Sequence, residues 1–221
     1  RELAAVLGIA PERLRVLSCD VGGNFGTRNR VFVEFGLVLW AARRPARPVK
    51  FTATRSEAYL SDYQGRDLVT KVELAPAGDG RFLAMRATNI SNVGARCVSL
   101  SPLSKGSGLI TGPYRIPNYQ WDVKCLLTNK VGMGTFSAPG RYESCFFRER
   151  LLDMMAADLG IDPAALRLKN LIPPSAMPYE LGRTRPEDYA IIYDSGDYPA
   201  LLKKALEMID YEALKSRGGR S

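Results

Sequence analysis

Hydrophobic residues along the first half of this chain follow both helical and strand-like spacings. The spacing over residues 1–9 predicts a short helix that Pro11 ends, and the alternation over 13–18 predicts a short strand. After a glycine-rich turn at 21–29, residues 30–44 are apolar on nearly every side, which predicts a helix buried on most of its faces. Four further elements are predicted before residue 94: a strand over 48–54, a short helix over 55–63, and hairpin strands over 67–74 and 82–93 around a turn at 77–80.

The second half of the chain predicts one more strand, over 119–127, and then a series of helices. Loops are expected on both sides of this strand, at 94–114 and 128–141, and a loop rich in Pro and Tyr runs to Gly196. An amphipathic helix is predicted over 143–159, and Gly160 ends it. A second helix begins at Asp162 and Pro163 and runs to about Leu171. A third begins at Asp197 and Pro199 and runs to about Lys215. Hairpins combined with segregated helices predict an α+β fold with mixed or antiparallel sheets.

The ends of the chain predict a piece of a longer polypeptide. Arg1 follows no signal-peptide pattern, and Ser221 comes in what reads as a linker. We expect one domain over 1–196, followed at 197–221 by a C-terminal helix and the start of a linker to a second domain. The longest apolar run, 35–42, is too short to span a bilayer, so membrane insertion is not expected.

Composition excludes several kinds of chemistry. The chain has no histidine, so it cannot provide Ser-His-Asp or Cys-His catalysis or a zinc site that uses histidine. Its 31 Lys and Arg exceed its 23 Asp and Glu, for a net charge of +8. The basic residues are scattered apart from a cluster over 43–50, which lacks a stacking pattern of aromatic residues, so nucleic-acid binding is not favoured.

The four cysteines form no C-x-x-C pair. Because their neighbours are mostly apolar or strand-like, we expect buried thiols, as suits a protein of the reducing cytoplasm. These residues are Cys19, Cys97, Cys125 and Cys145.

The sharpest motif is GGNFG, at Gly22–Gly26, between a predicted strand and a predicted helix. Backbone amides that glycines expose at such a place can bind an anion or an oxo ligand. The spacing matches neither the Rossmann fingerprint nor the P-loop, and on spacing alone a tight structural turn is the favoured alternative.

The second motif is GTFSAPGRYE, over 134–143, before the amphipathic helix. Small residues there leave backbone amides open to a ligand, Ser137 offers a hydroxyl, and Arg141 offers a cation for phosphate or carboxylate. Taken alone, a helix-capping loop with Arg141 in a surface ion pair is the simpler interpretation.

The ordered set of motifs resembles one family. GGNFGTR, RPVKFTATRSE, SNVGA, GPYRIPNY, APGRYE and DPAALRLKNLI follow one another along nearly the whole chain. This arrangement is similar to the large, molybdenum-binding subunit of the xanthine dehydrogenase, aldehyde oxidase and aerobic carbon-monoxide dehydrogenase family. The resemblance implies a fragment that contains the first molybdopterin-binding domain.

The resemblance also implies an oxidoreductase activity for the full protein. Such enzymes hydroxylate an aldehyde or N-heterocycle-type substrate with oxygen from water, and the electrons pass from molybdenum through [2Fe–2S] clusters to FAD. We therefore expect molybdopterin, in its cytosine dinucleotide form, and as partners the rest of the large subunit and FAD-binding and iron–sulfur subunits. The family's catalytic glutamate lies beyond Ser221, so we expect no catalytic residue, no direct metal ligand and no turnover in this fragment.

The resemblance assigns site residues at matching positions. It implies that the Phe25–Gly26 backbone lies near the molybdenum's apical ligand. The full set of implied cofactor contacts is Gly22, Gly23, Asn24, Phe25, Gly26, Ala138, Gly140 and Arg141. The implied substrate pocket contains Phe136, Ser137 and Asn29.

Three of these positions depart from the family pattern. Ser137 stands where relatives carry a pocket arginine, which implies an altered substrate or reduced activity. Ala138 replaces the cysteine of carbon-monoxide dehydrogenases, and Asn29 replaces the glutamate of purine-oxidising relatives. Carbon monoxide and xanthine are therefore not expected as substrates. The alternative interpretation is a non-enzymatic α+β interaction module that binds a partner through its basic face.

Overall fold

The computed structural model describes residues 1–182 and 190–218. Within these ranges the chain forms eight α-helices and five β-strands, and the predicted α+β class is confirmed. The predicted linker at 219–221 and part of the predicted loop before Gly196 lie outside the described residues. The helices are α1 (Glu2–Val6), α2 (Val33–Arg43), α3 (Arg55–Ser61), α4 (Ser101–Ser107), α5 (Arg141–Leu159), α6 (Pro163–Asn170), α7 (Tyr198–Met208) and α8 (Tyr211–Gly218), and the strands are β1 (Leu68–Pro76), β2 (Phe82–Gly94), β3 (Asn118–Leu127), β4 (Tyr179–Gly182) and β5 (Ile191–Tyr193).

Residue contacts divide the chain into two compact units. Unit 1 comprises Arg1–Gly65, Val93–Leu100 and Leu127–Ala138. Unit 2 comprises Arg66–Asn92, Ser101–Leu126 and the described residues from Pro139 onward. The predicted division into 1–196 and 197–221 stays a prediction.

Unit 2 contains a three-stranded sheet with the order β1-β2-β3. The predicted hairpin is confirmed, because β1 and β2 pair antiparallel from Leu68 opposite Ser91 to Pro76 opposite Phe82. Burial of apolar side chains from this sheet and from helices α5 and α6 supplies the main stabilisation of the unit. The buried cluster consists of Phe82, Met85, Ala87, Ile110, Tyr114, Ile116, Leu152, Met155, Ala156, Leu166 and Leu171.

Helices α5 and α6 end and begin as the sequence predicts. Gly160 follows α5 in the left-handed conformation, at φ +64°, and its N–H donates to the carbonyls of the last turn. Asp162 caps α6, because its carboxylate accepts the Ala165 N–H at 2.9 Å. The same carboxylate accepts from Tyr211 at 3.1 Å and pairs with Lys215 at 2.9 Å, which ties α8 to the start of α6.

Several predicted loops and helices are subdivided in the structure. The predicted loop at 94–114 contains α4, and the predicted loop before Gly196 contains β4 and β5, which pair antiparallel. The single helix predicted to about Lys215 is two helices, α7 and α8. The chain turns between them at Asp210, whose φ is +50°. Aspartate tolerates this left-handed conformation better than most residues with a side chain.

Unit 1 departs most from the sequence predictions. The predictions of strands over 13–18 and 48–54 are wrong, since neither range forms a strand in the structure. The predicted burial of α2 is also wrong, because Phe35, Leu37 and Trp40 are each about half exposed in this chain. An apolar periodicity indicates a preference for burial, and among the residues that the structure describes no element covers these side chains fully.

The predicted burial of the cysteines is wrong as well. Cys19, Cys97, Cys125 and Cys145 are all exposed. Cys125 lies near the exposed end of β3, and Cys145 lies in the exposed part of the first two turns of α5. Apolar neighbours in the sequence therefore did not place these thiols inside a core.

Candidate functional site

Residues Gly22–Gly26 form an exposed turn that ends in a short 3₁₀ helix at Thr27–Asn29. The Asn24 carboxamide oxygen accepts the Gly26 N–H at 2.8 Å, and the Thr27 hydroxyl donates to the Asn24 carbonyl at 3.2 Å. Asn24 thus closes the turn with its own side chain. Gly23 and Gly26 have φ values of +119° and +91°, which glycine adopts at less cost than residues with a side chain.

The two motifs meet within unit 1. The Ser137 N–H donates to the Phe25 carbonyl at 2.7 Å, which joins the second loop to the glycine turn. A Cβ atom at Gly26 would lie 2.8 Å from Thr135 Cγ2 and 3.2 Å from the Thr135 carbonyl oxygen. Only glycine therefore allows this approach of the two backbones. Sequence analysis predicted both loops, and the structure brings them together.

Backbone hydrogen bonds hold the second loop in place. Gly134 donates to the Gln64 carbonyl at 3.0 Å, and Gln64 donates to the Gly132 carbonyl at 3.2 Å. Ser99 donates from its backbone to Met133 at 3.2 Å, and its hydroxyl lies 3.2 Å from that of Thr135. The segments at 63–65 and 93–99 thus support the loop, a role that sequence analysis missed because it depends on contacts between distant residues.

The predicted pocket residues lie at the surface of unit 1. Phe136 is 42% exposed and Phe25 is 62% exposed, so two aromatic rings project from the joined loops. Asn29, Ser137 and Ala138 are exposed as well. Ser137 and Ala138 have positive φ values of +31° and +49°, although neither is glycine. Such backbone strain often marks functional loops, and no local sequence signal announces it.

Gly140 and Arg141 belong to unit 2, at the start of α5. Gly140 is the residue before the first helical turn and has a φ of +78°. A Cβ there would lie 2.0 Å from the Pro102 carbonyl oxygen and 2.5 Å from the Gly106 backbone nitrogen. No side chain caps α5, so the amides of its first turn remain available to an anion. The Arg141 side chain is exposed.

Two buried polar residues on α5 hold the α4 segment against this helix start. The Ser144 hydroxyl contacts the Gly106 carbonyl at 3.1 Å and the Gly140 carbonyl at 2.7 Å. Arg148 is 6% exposed and donates to the carbonyls of Leu109 and Ile110, at 3.3 and 3.2 Å. Sequence analysis missed both residues. They share the i, i+4, i+8 stripe with the buried Leu152, and that spacing was the signal that could have found them.

The described residues contain neither a candidate metal cluster nor a helix that could span a membrane. Among these residues no group of three or more Cys, Asp or Glu side chains could hold a metal ion. Within the same ranges, every helix is too short or too polar to cross a bilayer.

Comparison with known proteins identifies relatives along the chain. The family model described as the molybdopterin cofactor-binding domain matches residues 1–171. The 6-hydroxypseudooxynicotine dehydrogenase complex subunit gamma of Paenarthrobacter nicotinovorans is 34% identical over 96% of this chain and 27% of its own length. The carbon monoxide dehydrogenase large chain of Hydrogenophaga pseudoflava is 32% identical over 95% of this chain and 26% of its own length.

Solved structures of oxidoreductases also superpose on nearly the whole of this chain. Quinoline 2-oxidoreductase from Pseudomonas putida 86 superposes with a TM-score of 0.86 at 29% identity, over 98% of this chain and 27% of that chain. A Cu,Mo-CO dehydrogenase superposes with a TM-score of 0.87 at 29% identity, over 97% and 27% of the respective chains. The chain thus spans about a quarter of the length of the relatives it matches.

Proposed function

The chain belongs to the molybdopterin cofactor-binding domain family, and from this premise we propose that the joined loops of unit 1 hold molybdopterin in a molybdenum hydroxylase. The proposed contacts are the backbone of Gly22–Gly26 and residue Ala138. The hydrogen bond from Ser137 to Phe25 carries the proposal, because it fixes the two family motifs in one place. The non-enzymatic interaction module is not favoured beside this family membership.

The residues of unit 1 fit such a cofactor. Residues Gly22–Phe25 are exposed and their amides donate to no backbone carbonyl, so these amides can face an oxo or phosphate oxygen, whereas the Gly26 amide is already bonded to the Asn24 side chain. The close approach of Gly26 to Thr135 leaves no room for a Cβ, which keeps the loop surface backbone-lined. Exposed Phe25 and Phe136 add apolar area that can exclude water from a bound pterin or substrate.

The first turn of α5, in unit 2, fits an anionic group by itself. Its amides have no capping side chain, and the positive end of the helix dipole adds to their attraction for negative charge. Exposed Arg141 can add a charge-assisted hydrogen bond. We therefore propose Gly140 and Arg141 as cofactor contacts through a phosphate group.

When bound, molybdopterin supplies a molybdenum centre that accepts two electrons from a substrate whose new oxygen comes from water. The part of this chain in the reaction is to bind and orient the group through backbone donors. Those donors are fixed before binding, so little reorganisation is needed. The general base of the reaction is proposed to be a glutamate outside these residues, which leaves the fragment alone without turnover.

The proposed substrates are N-heterocycles or aldehydes. Relatives named for 6-hydroxypseudooxynicotine, nicotine and quinoline support a heterocycle, and an aldehyde oxidoreductase from Megalodesulfovibrio gigas supports the second class. Phe136, Ser137 and Asn29 are proposed to line the pocket. We propose that Ser137, in place of the arginine of the family pattern, leaves the pocket without that positive charge and with more volume, which suits a larger or uncharged substrate. Carbon monoxide is not proposed, since Ala138 provides no thiolate.

The remaining parts of the proposal concern the full protein. Relatives are named as a gamma subunit and large chains, so we propose that this domain belongs to a large subunit that works with other subunits. We further propose FAD-binding and iron–sulfur partners, the cytosine dinucleotide form of the pterin, and a cytoplasmic location. The first molybdopterin-binding domain is proposed to extend to residue 196.

The test is cofactor loading of the full-length subunit with Gly23→Val. Gly23 has a φ of +119°, which a β-branched residue rarely adopts, and a Cβ there would also displace the Phe25 ring, 2.5 Å away, so valine should distort the turn. The matched control is Gly78→Val in the β1–β2 hairpin, where a Cβ meets nothing within 4 Å. We expect molybdenum and pterin content to fall at least about tenfold in Gly23→Val alone. Wild-type content in that variant would refute the proposed role of the turn.

A further inference from the structure

A large apolar groove in unit 1 has no occupant in the proposed function. Its volume is about 570 Å³, and apolar side chains from α1, α2 and two irregular segments dominate its lining. Several of these side chains are strongly exposed, with Val16 at 72% and Phe51 at 51%. A contiguous apolar surface of this kind marks an interaction site in a soluble protein. The main contributors are Leu3, Val16, Phe32, Phe35, Val38 and Phe51.

The two irregular segments, 14–20 and 48–54, have the sequence pattern of strands without the pairing. Apolar residues alternate with polar ones at Val49, Phe51 and Ala53, and it is Phe51 and Ala53 that line the groove. Throughout residues 15–20 and 48–53, all of which the structure describes, no backbone N–H donates to a backbone carbonyl. Backbone donors beside an apolar surface are normally paired once that surface is buried. Among the described residues, these two segments therefore have no strand that accepts their backbone N–H groups, and the apolar side chains beside them remain exposed.

A second copy of this chain fits the groove poorly. Segment 14–20 carries Arg15 and Asp20, segment 48–54 carries Lys50, and Arg43 and Arg44 end the neighbouring helix α2, so basic residues outnumber acidic ones. Self-pairing of either segment would bring these basic residues close to their own copies, and like charges on paired strands are destabilising. A neutral or acidic strand suits the same surface better.

The length of the relatives supplies a different occupant. This chain spans 26–27% of the listed subunits that it matches, so about three quarters of such a subunit lies outside it. We propose that the groove of unit 1 binds an extended, alternately apolar segment from that remaining part of the same subunit. The segment pairs as a β-strand with residues 48–54 and places its apolar side chains against those that line the groove. This proposal does not depend on molybdopterin binding by the glycine turn.

Photo-cross-linking in the full-length subunit tests the identity of the occupant. A benzophenone amino acid replaces Phe51, which lines the groove, and in a matched control it replaces Thr52, which does not. We expect the probe at 51 to form an intramolecular cross-link to a peptide outside these 221 residues, in several-fold higher yield than the probe at 52. A cross-linked dimer, a cross-link to another polypeptide, or equal yields at the two positions would overturn the proposal.

Two further measurements hold whether or not a probe perturbs folding. In wild-type full-length subunit, alternate amides within 49–53 should exchange hydrogen at least about 100-fold more slowly than unprotected amides, because a paired strand accepts every second N–H of its neighbour. Exchange at the unprotected rate contradicts the pairing. Phe51→Lys should lower the thermal midpoint by about 5 °C or more, while Thr52→Lys should change it by about 1 °C or less. Equal shifts contradict the assignment of Phe51 to a buried contact.

Discussion

Gly140 offers the sharpest energetic test of how α5 begins. Replacing it with alanine forces a side chain into a left-handed conformation, φ +78°, which costs about 1–2 kcal/mol. The new Cβ would also lie 2.0 Å from the Pro102 carbonyl oxygen and 2.5 Å from the Gly106 nitrogen. Both are backbone atoms, so relief requires movement of the α4 segment. Overpacking of this kind costs about 1–3 kcal/mol more.

Gly160→Ala is the matched control at the other end of the same helix. Its φ of +64° imposes a similar conformational cost, but a Cβ there meets nothing within 4 Å. Urea unfolding should therefore give a loss of about 2–5 kcal/mol for Gly140→Ala and about 1–2 kcal/mol for Gly160→Ala. Equal losses would refute the argument that close backbone approach, and not helix-end conformation alone, requires glycine at 140.

Three further predictions follow from the structure. Arg148→Leu removes the donor to the Leu109 and Ile110 carbonyls and should lower the free energy of unfolding in urea by about 2–4 kcal/mol. The control Arg150→Leu, at an exposed position of the same helix, should lower it by less than about 0.5 kcal/mol. Similar losses in the two variants would contradict the role of Arg148. Burial alone would raise the pKa of Asp162, but hydrogen bonds from Lys215, the Ala165 amide and Tyr211 hold it below its ordinary 3.8. The ionised carboxylate therefore stabilises the fold above about pH 4, and this stabilisation is lost as the pH falls through the lowered pKa. The difference in unfolding free energy between wild type and Asp162→Ala should be about 1 kcal/mol at pH 7 and should shrink in acid. A difference independent of pH would contradict this prediction. The isolated 221-residue chain should bind little molybdenum and reduce no dye, and a stoichiometric molybdenum signal with dye reduction would contradict the assignment of the base to the rest of the subunit.

Local signals in the sequence predicted the parts of the fold that depend on neighbours along the chain. Asp162 and Gly160 mark helix ends through hydrogen bonds within a few residues, and the hairpin turn at 77–80 works in the same way. By contrast, the predicted burial of α2 and the predicted strand at 48–54 require a covering surface and a strand partner. Apolar spacing along the chain specifies neither, and among the described residues α2 stays half exposed and 48–54 stays unpaired.

The candidate site was predictable as two motifs but not as a geometry. Spacing alone favoured a structural turn at Gly22–Gly26, and the Asn24 side chain does close that turn. The order of motifs along the chain was needed to suggest a cofactor. The contact from Ser137 to Phe25 and the strained backbone at Ala138 arise from the folded backbone, and residue type does not encode them locally.

The most direct test of the proposed function is a crystal structure of the full-length subunit with its native cofactor. The proposed function predicts backbone amides of Gly22–Phe25 within hydrogen-bond distance, about 2.7–3.2 Å, of molybdopterin or its molybdenum oxygen ligands. It also predicts that the Ser137–Phe25 hydrogen bond persists beside the cofactor. A cofactor bound elsewhere, with the glycine turn in contact only with solvent or protein, would contradict the central claim.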